Sequence, residues 1–201
     1  MAIGTYSELQ TAVGDFLNRS DLTSAIPNFI ALAEADVNRR LRHWRMEVNT
    51  TLTANAQYED LPTGWLETVR MSVSGGPRLE LLAHPEMEAK RAKAENATGE
   101  PRFYAFVAGQ IEFFPTPDGD YTINHAYIGK TDALSDAAPT NWLLTDHPDV
   151  LLYGALTHSA PYLVEDQRVP VWSALYEQAL TGCQISSDRA RHSGTQRIKV
   201  R

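Results

Sequence analysis

An α+β fold is predicted for this chain of 201 residues: a four-helix bundle with a β-rich insertion between helices 2 and 3, and an extended C-terminal tail. Apolar residues recur at helical spacing in the first 45 residues and again after residue 141. Between these segments, apolar and polar residues alternate with the period of a half-buried strand. The last ten residues show no helical stripe.

The same patterns predict how the chain divides into domains. Residues 1–45 and 141–191 would form the helical bundle as one discontinuous domain. Residues 46–140 would form the β-rich insertion with a short helix, and residues 192–201 an extended arm. The terminal helices must bury their apolar faces, and their simplest partners are each other.

Two helices are predicted at the N-terminus. Thr5 begins TYSE, a capping box with Glu8, and a helix over residues 6–18 follows it. The second helix lies in IPNFIALAEADVNRRLR, residues 26–42, with Pro27 in its first turn, where a missing N–H costs little. Steps of three and four residues make one apolar stripe from Ile26, Ile30, Ala33, Val37 and Leu41.

The insertion is predicted to contain strands and one short helix. MEVNTTLT at 46–53 alternates as a strand, and WLETVRMSV at 65–73 is a second strand, with RLELL after it as a third. HPEMEAKRAKAE at 84–95 is predicted to be a short charged helix. RFYAFV, QIEFFP and YTINHAYIG are separated by a Gly-containing turn and a Pro-Asp-Gly turn, which predicts a three-stranded meander.

Two further helices are predicted near the C-terminus. HPDVLLYGALTHSAPYL at 147–163 starts with Pro148 and is broadly apolar, and Pro161 is expected to kink or end it. The last helix covers about residues 169–190. Its predicted apolar face, beside which Trp172 and Tyr176 lie, consists of Val171, Leu175, Ala179 and Gly182.

The charge is distributed unevenly along the chain. The formal net charge is −7, yet residues 189–201 contain five Lys or Arg residues and no acid. The rest of the chain is therefore strongly acidic, whereas DNA binding without sequence preference relies on a basic face. A basic tail on an acidic body predicts an arm that docks elsewhere.

Neither secretion nor a membrane is indicated. The start MAIGTYSELQ has no basic region followed by an apolar one, and no apolar run approaches the roughly 20 residues that span a bilayer. Cys183 is the single cysteine, which excludes an intrachain disulfide and a zinc site built from cysteines. Synthesis in a reducing cytoplasm is expected.

No catalytic, cofactor-binding or metal site is predicted, and the chain is not expected to be an enzyme. It contains neither G-x-S-x-G nor G-x-x-x-x-G-K-[ST]. Among the six histidines no i,i+4 pair has a third ligand in view, and His147 and His158 are interpreted as one capping and one packed histidine. Cys183 is interpreted as a small buried hydrophobe.

Three arginines at the end of the second helix and a fourth just after it are the strongest functional candidates: Arg39, Arg40, Arg42 and Arg45. Cations near a helix C-terminus are favoured by the helix dipole. The favoured interpretation is ion pairing, inside the subunit or at a subunit interface. Contact with DNA in a channel and specific DNA reading remain alternatives, although direct reading needs a second helix and a basic surround.

Several segments resemble one protein family. YSELQTAVGDFLNRSDL followed by IPNFIALAEADVNRRLR is similar to the N-terminal segment of the head-to-tail connector, or adaptor, proteins of tailed bacteriophages. LPTGWLETVRMSV resembles a strand of these proteins, GEPRFYAFVAGQIEFFPTPDGDYTINHAYIGK their hairpin, and VWSALYEQALTGCQISSDRAR their last helix. The order of the motifs over nearly the whole chain is more specific than any one of them.

The resemblance implies a structural protein of the virion neck, made in the host bacterial cytoplasm. Such adaptors form a ring, typically dodecameric, below the portal protein at the capsid vertex; the ring leaves a DNA channel and is a platform for the tail. The implied partners are portal, neck or tail proteins, further copies of the chain and, non-specifically, genomic DNA. No cofactor and no membrane are implied. The alternatives are a stopper, a tail terminator or, less favoured, a DNA-binding accessory protein.

The resemblance also assigns roles to particular residues. The C-terminal tails of these adaptors dock on the portal, and that role falls here on residues 192–201. Alternating basic and apolar residues could add a strand to a partner sheet and meet an acidic surface: Arg197, Ile198, Lys199, Val200 and Arg201. A subunit interface or the channel is expected for Arg39, Arg40, Arg42 and Arg45.

Overall fold

The structure is a computed structural model that describes residues 3–95, 97–163 and 166–193. It contains two compact units. The helical unit consists of Met1–Met46 and Thr131–Arg201, and the β-rich unit consists of Glu47–Lys130. The α+β class is therefore as predicted.

Helices and strands of the described residues follow in chain order. The six α-helices are α1 (Tyr6–Leu17), α2 (Ile26–Arg40), α3 (His84–Lys93), α4 (Trp142–Asp146), α5 (Pro148–His158) and α6 (Val169–His192). The seven strands are β1 (Glu47–Ala54), β2 (Tyr58–Asp60), β3 (Trp65–Val73), β4 (Glu80–Leu81), β5 (Phe103–Val107), β6 (Gln110–Phe114) and β7 (Tyr121–Gly129). Two 3₁₀ turns lie at Trp44–Met46 and Ala160–Tyr162.

The helix starts follow the sequence signals. The Thr5 hydroxyl accepts a hydrogen bond from the Glu8 amide, and the Glu8 carboxylate accepts one from the Thr5 amide, which confirms the capping box. Pro27 lies in the first turn of α2. The predicted stripe of α2 is buried at Ile26, Ile30, Ala33, Val37 and Leu41.

The predicted four-helix bundle is wrong for the described residues. A bundle places four helices around a shared core, whereas here α5 itself is at the centre and α1, α2, α4 and α6 each pack on it. The reason is that α5 is buried on almost its whole circumference, at Val150, Leu151, Leu152, Gly154, Ala155 and Leu156. A helix that is apolar all round belongs in a core.

The buried face of α6 also differs from the predicted one. The structure buries Trp172, Tyr176, Leu180 and Cys183, whereas Val171 is 57% exposed. The apolar residues of both faces recur at helical spacing, so periodicity alone could not show which face of α6 is buried. The observed face contains both aromatic residues of the helix, and burying them removes more apolar surface from water.

Gly154 permits the close approach of α5 to its neighbours. A Cβ at this position would lie 2.9 Å from the Ala33 Cβ on α2 and 3.1 Å from Tyr176 Cε2 on α6. Gly182 on α6 is a contrasting helical glycine, because a Cβ there would meet nothing within 4 Å.

Alanine substitution should therefore have opposite effects at these two glycines. Gly154→Ala should destabilise the helical unit, because overpacking costs about 1–3 kcal/mol and exceeds the gain of about 1 kcal/mol in helix propensity. Gly182→Ala should stabilise it by about 0.5–1 kcal/mol. Chemical denaturation of both variants checks this. A Gly154→Ala protein as stable as the wild type would contradict the close packing.

The β-rich unit is made of two sheets and α3. One sheet is antiparallel, with β7 between β1 and β3, and the other has the order β2-β6-β5-β4. Side chains from both sheets, together with Leu79 just before β4, form one core: Ala54, Met71, Val73, Leu79, Tyr104, Ile111, Phe113 and Ile123. A smaller cluster joins α3 to the second sheet through Met87, Ala105 and Phe114.

The predicted meander of three strands is only partly correct. β5 and β6 form the hairpin, with Phe103 opposite Phe114, but β7 pairs with β1 and β3 in the other sheet. Pro115 and Pro117 lie between β6 and β7, and proline cannot donate a ladder hydrogen bond. The strand pattern could not show which sheet β7 would join.

Across the described residues, no helix combines the length and the apolar character that crossing a membrane requires.

Candidate functional site

Arg40 joins α2 to α6. Its guanidinium donates to both carboxylate oxygens of Glu177, and the distance to Oε1 is 2.9 Å. It also pairs with Asp36, one turn earlier on α2, at 3.2 Å. The hydrogen bonds to Glu177 are the main cause of a raised Arg40 pKa. Arg40 is thus engaged within the helical unit.

Asp36 is the acceptor at the centre of this network. Arg39 donates to its Oδ1 at 3.0 Å, and the Tyr176 hydroxyl donates to its Oδ2 at 2.9 Å. Burial would raise the pKa of Asp36, but the hydrogen bonds from Tyr176, Arg39 and Arg40 together lower it. Burial and the Asp36 carboxylate raise the pKa of Tyr176, so its hydroxyl stays protonated as the donor.

The remaining two arginines contact groups near the end of α2 and at the end of α4. Arg42 donates to two backbone carbonyl oxygens, those of Asn38 at 3.1 Å and Leu41 at 2.7 Å, and so satisfies helix C-terminal acceptors. Arg45 pairs with Asp146 at the end of α4, at 2.9 Å. Its guanidinium also lies 5.5 Å from the centre of the Trp44 ring.

Ion pairing inside the subunit, one of the two forms of the favoured interpretation, is therefore present at Arg39, Arg40 and Arg45. Arg39 is the one that reaches solvent most, with 66% of its side chain exposed, against 41% for Arg40 and for Arg45. Their assignment, with Arg42, to a subunit interface or to a DNA channel stays a prediction.

Two acceptors on α2 hold the segment that enters the helical unit from β7. Asn38 Oδ1 accepts from the Thr131 amide at 2.9 Å, and Glu34 Oε1 accepts from the Leu134 amide at 2.8 Å. Burial raises the pKa of Glu34 and outweighs the effect of this hydrogen bond. The one-turn spacing of Glu34 and Asn38 places both acceptors on one face of α2.

A second group of polar residues lies beside the arginines: His43, His147 and Cys183, called the His–His–Cys cluster below. The three come from the segment after α2, the junction of α4 and α5, and the middle of α6. One ligand atom from each lies within 4.8 Å of those of the other two. His43 and Cys183 are buried, and His147 is half-buried.

Aromatic packing and hydrogen bonds orient His43. Its ring stacks on Trp142 with a centroid distance of 4.7 Å. Nδ1 accepts from the Arg45 amide at 3.2 Å, and Nε2 lies 3.4 Å from Ser186 Oγ, which itself donates to the Cys183 carbonyl. Because the Ser186 hydroxyl uses its proton in that bond, it can only accept from His43. Nε2 of His43 therefore carries the ring proton. Burial, together with the nearby His147 and Arg45, lowers the pKa of His43.

Cys183 is fully buried. Burial, with the nearby carboxylates of Asp149 and Asp146, raises the pKa of its thiol to about 12. Without a metal, the group is therefore a protonated thiol at neutral pH and a poor nucleophile. This agrees with its interpretation as a small buried residue.

Several of these partners were not found from the sequence. The Asp36–Arg40 pair has i,i+4 spacing, a signal that was available. Three partners on α6 lie more than a hundred residues from the groups that they approach on α2 and just after it: Glu177, Tyr176 and Cys183. No local sequence pattern indicates contacts between residues so far apart. The interpretation of His147 and His158 as one capping and one packed histidine did not involve His43, which the structure places beside His147.

The predicted portal-docking residues, Arg197, Ile198, Lys199, Val200 and Arg201, lie outside the described residues. Of the predicted arm, the structure describes His192, which ends α6, and Ser193. The arm stays a prediction.

The comparison with protein families identifies the class of protein. A family model described as SU10 adaptor protein matches residues 4–199, which is nearly the whole chain. The chain therefore belongs to the SU10 adaptor protein family, a family of phage head–tail adaptors. No curated protein matches the chain.

Membership confirms the resemblance that the motifs indicated. It makes the chain a structural protein of a bacteriophage virion, one that interacts with capsid or tail components.

Proposed function

We propose that the chain is a non-catalytic adaptor that forms a ring below the portal at the capsid vertex, with a DNA channel at its centre and a platform for the tail. The observation that carries the proposal is the family match over residues 4–199. The proposed partners are the portal, the next neck or tail protein and further copies of the chain. The dodecameric ring is part of this proposal.

The proposed portal contact is the basic C-terminal arm. α6 has 24 residues and leads directly into it. At about 1.5 Å per residue, the helix is roughly 36 Å long. Its buried side chains Trp172, Tyr176, Leu180 and Cys183, with the Arg40–Glu177 pair, attach it to the helical unit. A firmly attached helix suits an arm that must reach a neighbouring protein.

Charge supports the same assignment. Arg40 and Arg45 are engaged by Glu177 and Asp146, whereas the arm carries Arg197, Lys199 and Arg201 with no acid beside them in the sequence. Opposite charges on the two partners speed association and select between partners. Among the arginines of α2, Arg39 is the proposed site of non-specific contact with DNA in the channel, because its side chain is 66% exposed.

Removing residues 194–201 should strongly weaken portal docking and leave the chain folded. The last buried residue of α6 is Ser187, so the deletion removes no described core contact. We expect unchanged circular dichroism and portal binding that is more than about tenfold weaker. Electron microscopy of the chain mixed with its portal should show rings with the full-length protein and bare portals with the truncated one.

Two double variants separate charge from strand addition in this experiment. Arg197→Glu with Lys199→Glu reverses charge, whereas Ile198→Ser with Val200→Ser removes the apolar residues. Lys93→Glu on α3 reverses one exposed charge elsewhere and should dock normally. Docking with unchanged affinity after the deletion would show that the arm is not the portal contact. Rings absent even with the full-length chain would count against the proposed function itself.

A further inference from the structure

We propose that the His–His–Cys cluster is a binding site for a zinc-class divalent cation, which fastens α6 to the start of α5 and to the segment after α2. The sequence predicts no metal site, because His43, His147 and Cys183 are far apart in the chain and do not show the short spacing of a metal-ligand motif. Folding brings them together. The proposal rests on the geometry of the helical unit and is independent of the adaptor role.

The distances suit a small tetrahedral ion. Bonds of about 2.0–2.1 Å to nitrogen and 2.3 Å to sulfur separate ligand atoms by roughly 3.3–3.7 Å. The three ligand atoms here already lie within 4.8 Å of one another. The His43 and His147 rings are 6.0 Å apart and inclined at 70°. Side-chain movements of about 1 Å would complete the coordination, with water as the fourth ligand.

Two of the three groups have no competing hydrogen bond. The His147 ring and the Cys183 thiol make none with any other described residue, although Cys183 is completely buried. His43 makes two long contacts, at 3.2 Å to the Arg45 amide and 3.4 Å to Ser186. A metal on one nitrogen of His43 would replace the contact made there, and the other nitrogen would keep its hydrogen bond. Outer hydrogen bonds of this kind orient metal-bound histidines.

The cluster borders a groove that opens to solvent. His147 and Cys183 line an open groove of about 410 Å³ between α5 and α6. Asp149 lines the same groove and supplies negative charge there. A cation can therefore reach the half-buried His147 from the groove, and it must lose water to bind the buried Cys183.

The ligand chemistry selects the metal. Imidazole and thiolate ligands suit zinc, whereas calcium and magnesium take oxygen ligands. Binding replaces the proton of the Cys183 thiol with the metal, and that proton passes to solvent. No electron is transferred. Because one cation binds residues from three separate segments, occupancy should resist separation of α6 from α5.

The test uses Co²⁺ as a spectroscopic substitute for zinc with the full-length chain, free of any histidine tag. We expect one equivalent to bind, with a thiolate-to-cobalt charge-transfer band in the near ultraviolet and visible bands of tetrahedral cobalt. Zn²⁺ should abolish these bands. In a separate measurement, one equivalent of Zn²⁺ should raise the melting temperature.

Substitutions decide whether the cluster is the site. Cys183→Ser should lose the charge-transfer band, and His147→Gln, at a half-buried position that should tolerate it, should weaken binding at least tenfold. His158→Gln on α5 and His84→Gln on α3 are controls and should bind as the wild type does. The proposal is overturned if cobalt binds without the near-ultraviolet band, if Cys183→Ser keeps the band, or if no cobalt binds to the folded wild-type protein.

Discussion

Replacing Arg91 by methionine should lower the free energy of unfolding of the β-rich unit by about 3–5 kcal/mol. Arg91 on α3 pairs with Glu112 on β6 at 2.9 Å, and their side chains are only 14% and 5% exposed. Arg91 also donates to Thr116 Oγ1 and to the Phe113 carbonyl. Without it, the buried Glu112 carboxylate would keep, among the described residues, only the hydrogen bond from Gln57.

The large effect comes from the uncompensated charge that remains, because a buried ion pair itself adds little net stability. The pair here is incompletely satisfied: within the described residues, Arg91 Nε and Glu112 Oε2 are buried without a partner. Arg91→Met combined with Glu112→Leu should therefore recover most of the loss.

Hydrogen exchange on peptides from residues 47–130 measures this stability separately from that of the helical unit. Lys93→Met, on an exposed residue of the same helix, is the matched control and should change stability by less than about 0.5 kcal/mol. Similar losses of unfolding free energy for Arg91→Met and Lys93→Met would mean that Arg91 does not stabilise the buried Glu112 carboxylate.

Acidification from pH 7 to pH 4 should destabilise the β-rich unit through His125 by about 3 kcal/mol. His125 on β7 is 1% exposed, and burial lowers its pKa from 6.5 to about 4. Its Nε2 lies 2.9 Å from Thr68 Oγ1, which accepts from Trp65 Nε1, and among the described residues its buried Nδ1 has no partner.

The direction of this change in stability depends on whether the folded or the unfolded state binds the His125 proton more tightly. Above pH 6.5 the histidine is neutral in both the folded and the unfolded chain, and its contribution is constant. Between pH 6.5 and about 4 the unfolded state takes up the proton while the folded state does not, so stability falls with pH. Below about pH 4 both states are charged and the loss is complete.

His125→Gln removes this titration and keeps a hydrogen-bonding group beside Thr68. The free energy of unfolding, measured by chemical denaturation at intervals from pH 7 to pH 4, should fall about 3 kcal/mol less in this variant than in the wild type. His84→Gln, on a half-exposed histidine of α3, should follow the wild type. Parallel pH profiles for the wild type and His125→Gln would exclude His125 as the cause.

The family, the α+β class and most of the helices and strands could be predicted from the sequence, because local signals determine them. The capping box at Thr5 and Glu8 and the stripe of α2 depend on residues within a few turns of one another. Strands in the insertion followed from alternation and from Gly and Pro at the turns. The resemblance to the adaptor family rested on the order of such motifs, and the match over residues 4–199 confirms it.

The tertiary structure alone decided how these elements combine. Periodicity shows that a helix has an apolar face, but not which helix becomes the centre; α5 does so because nearly every side of it is apolar. Periodicity also does not show which sheet β7 joins or which residue each arginine pairs with. Those outcomes depend on burial and charge pairing between residues far apart in the chain, as when Arg40 meets Glu177 and His43 meets Cys183.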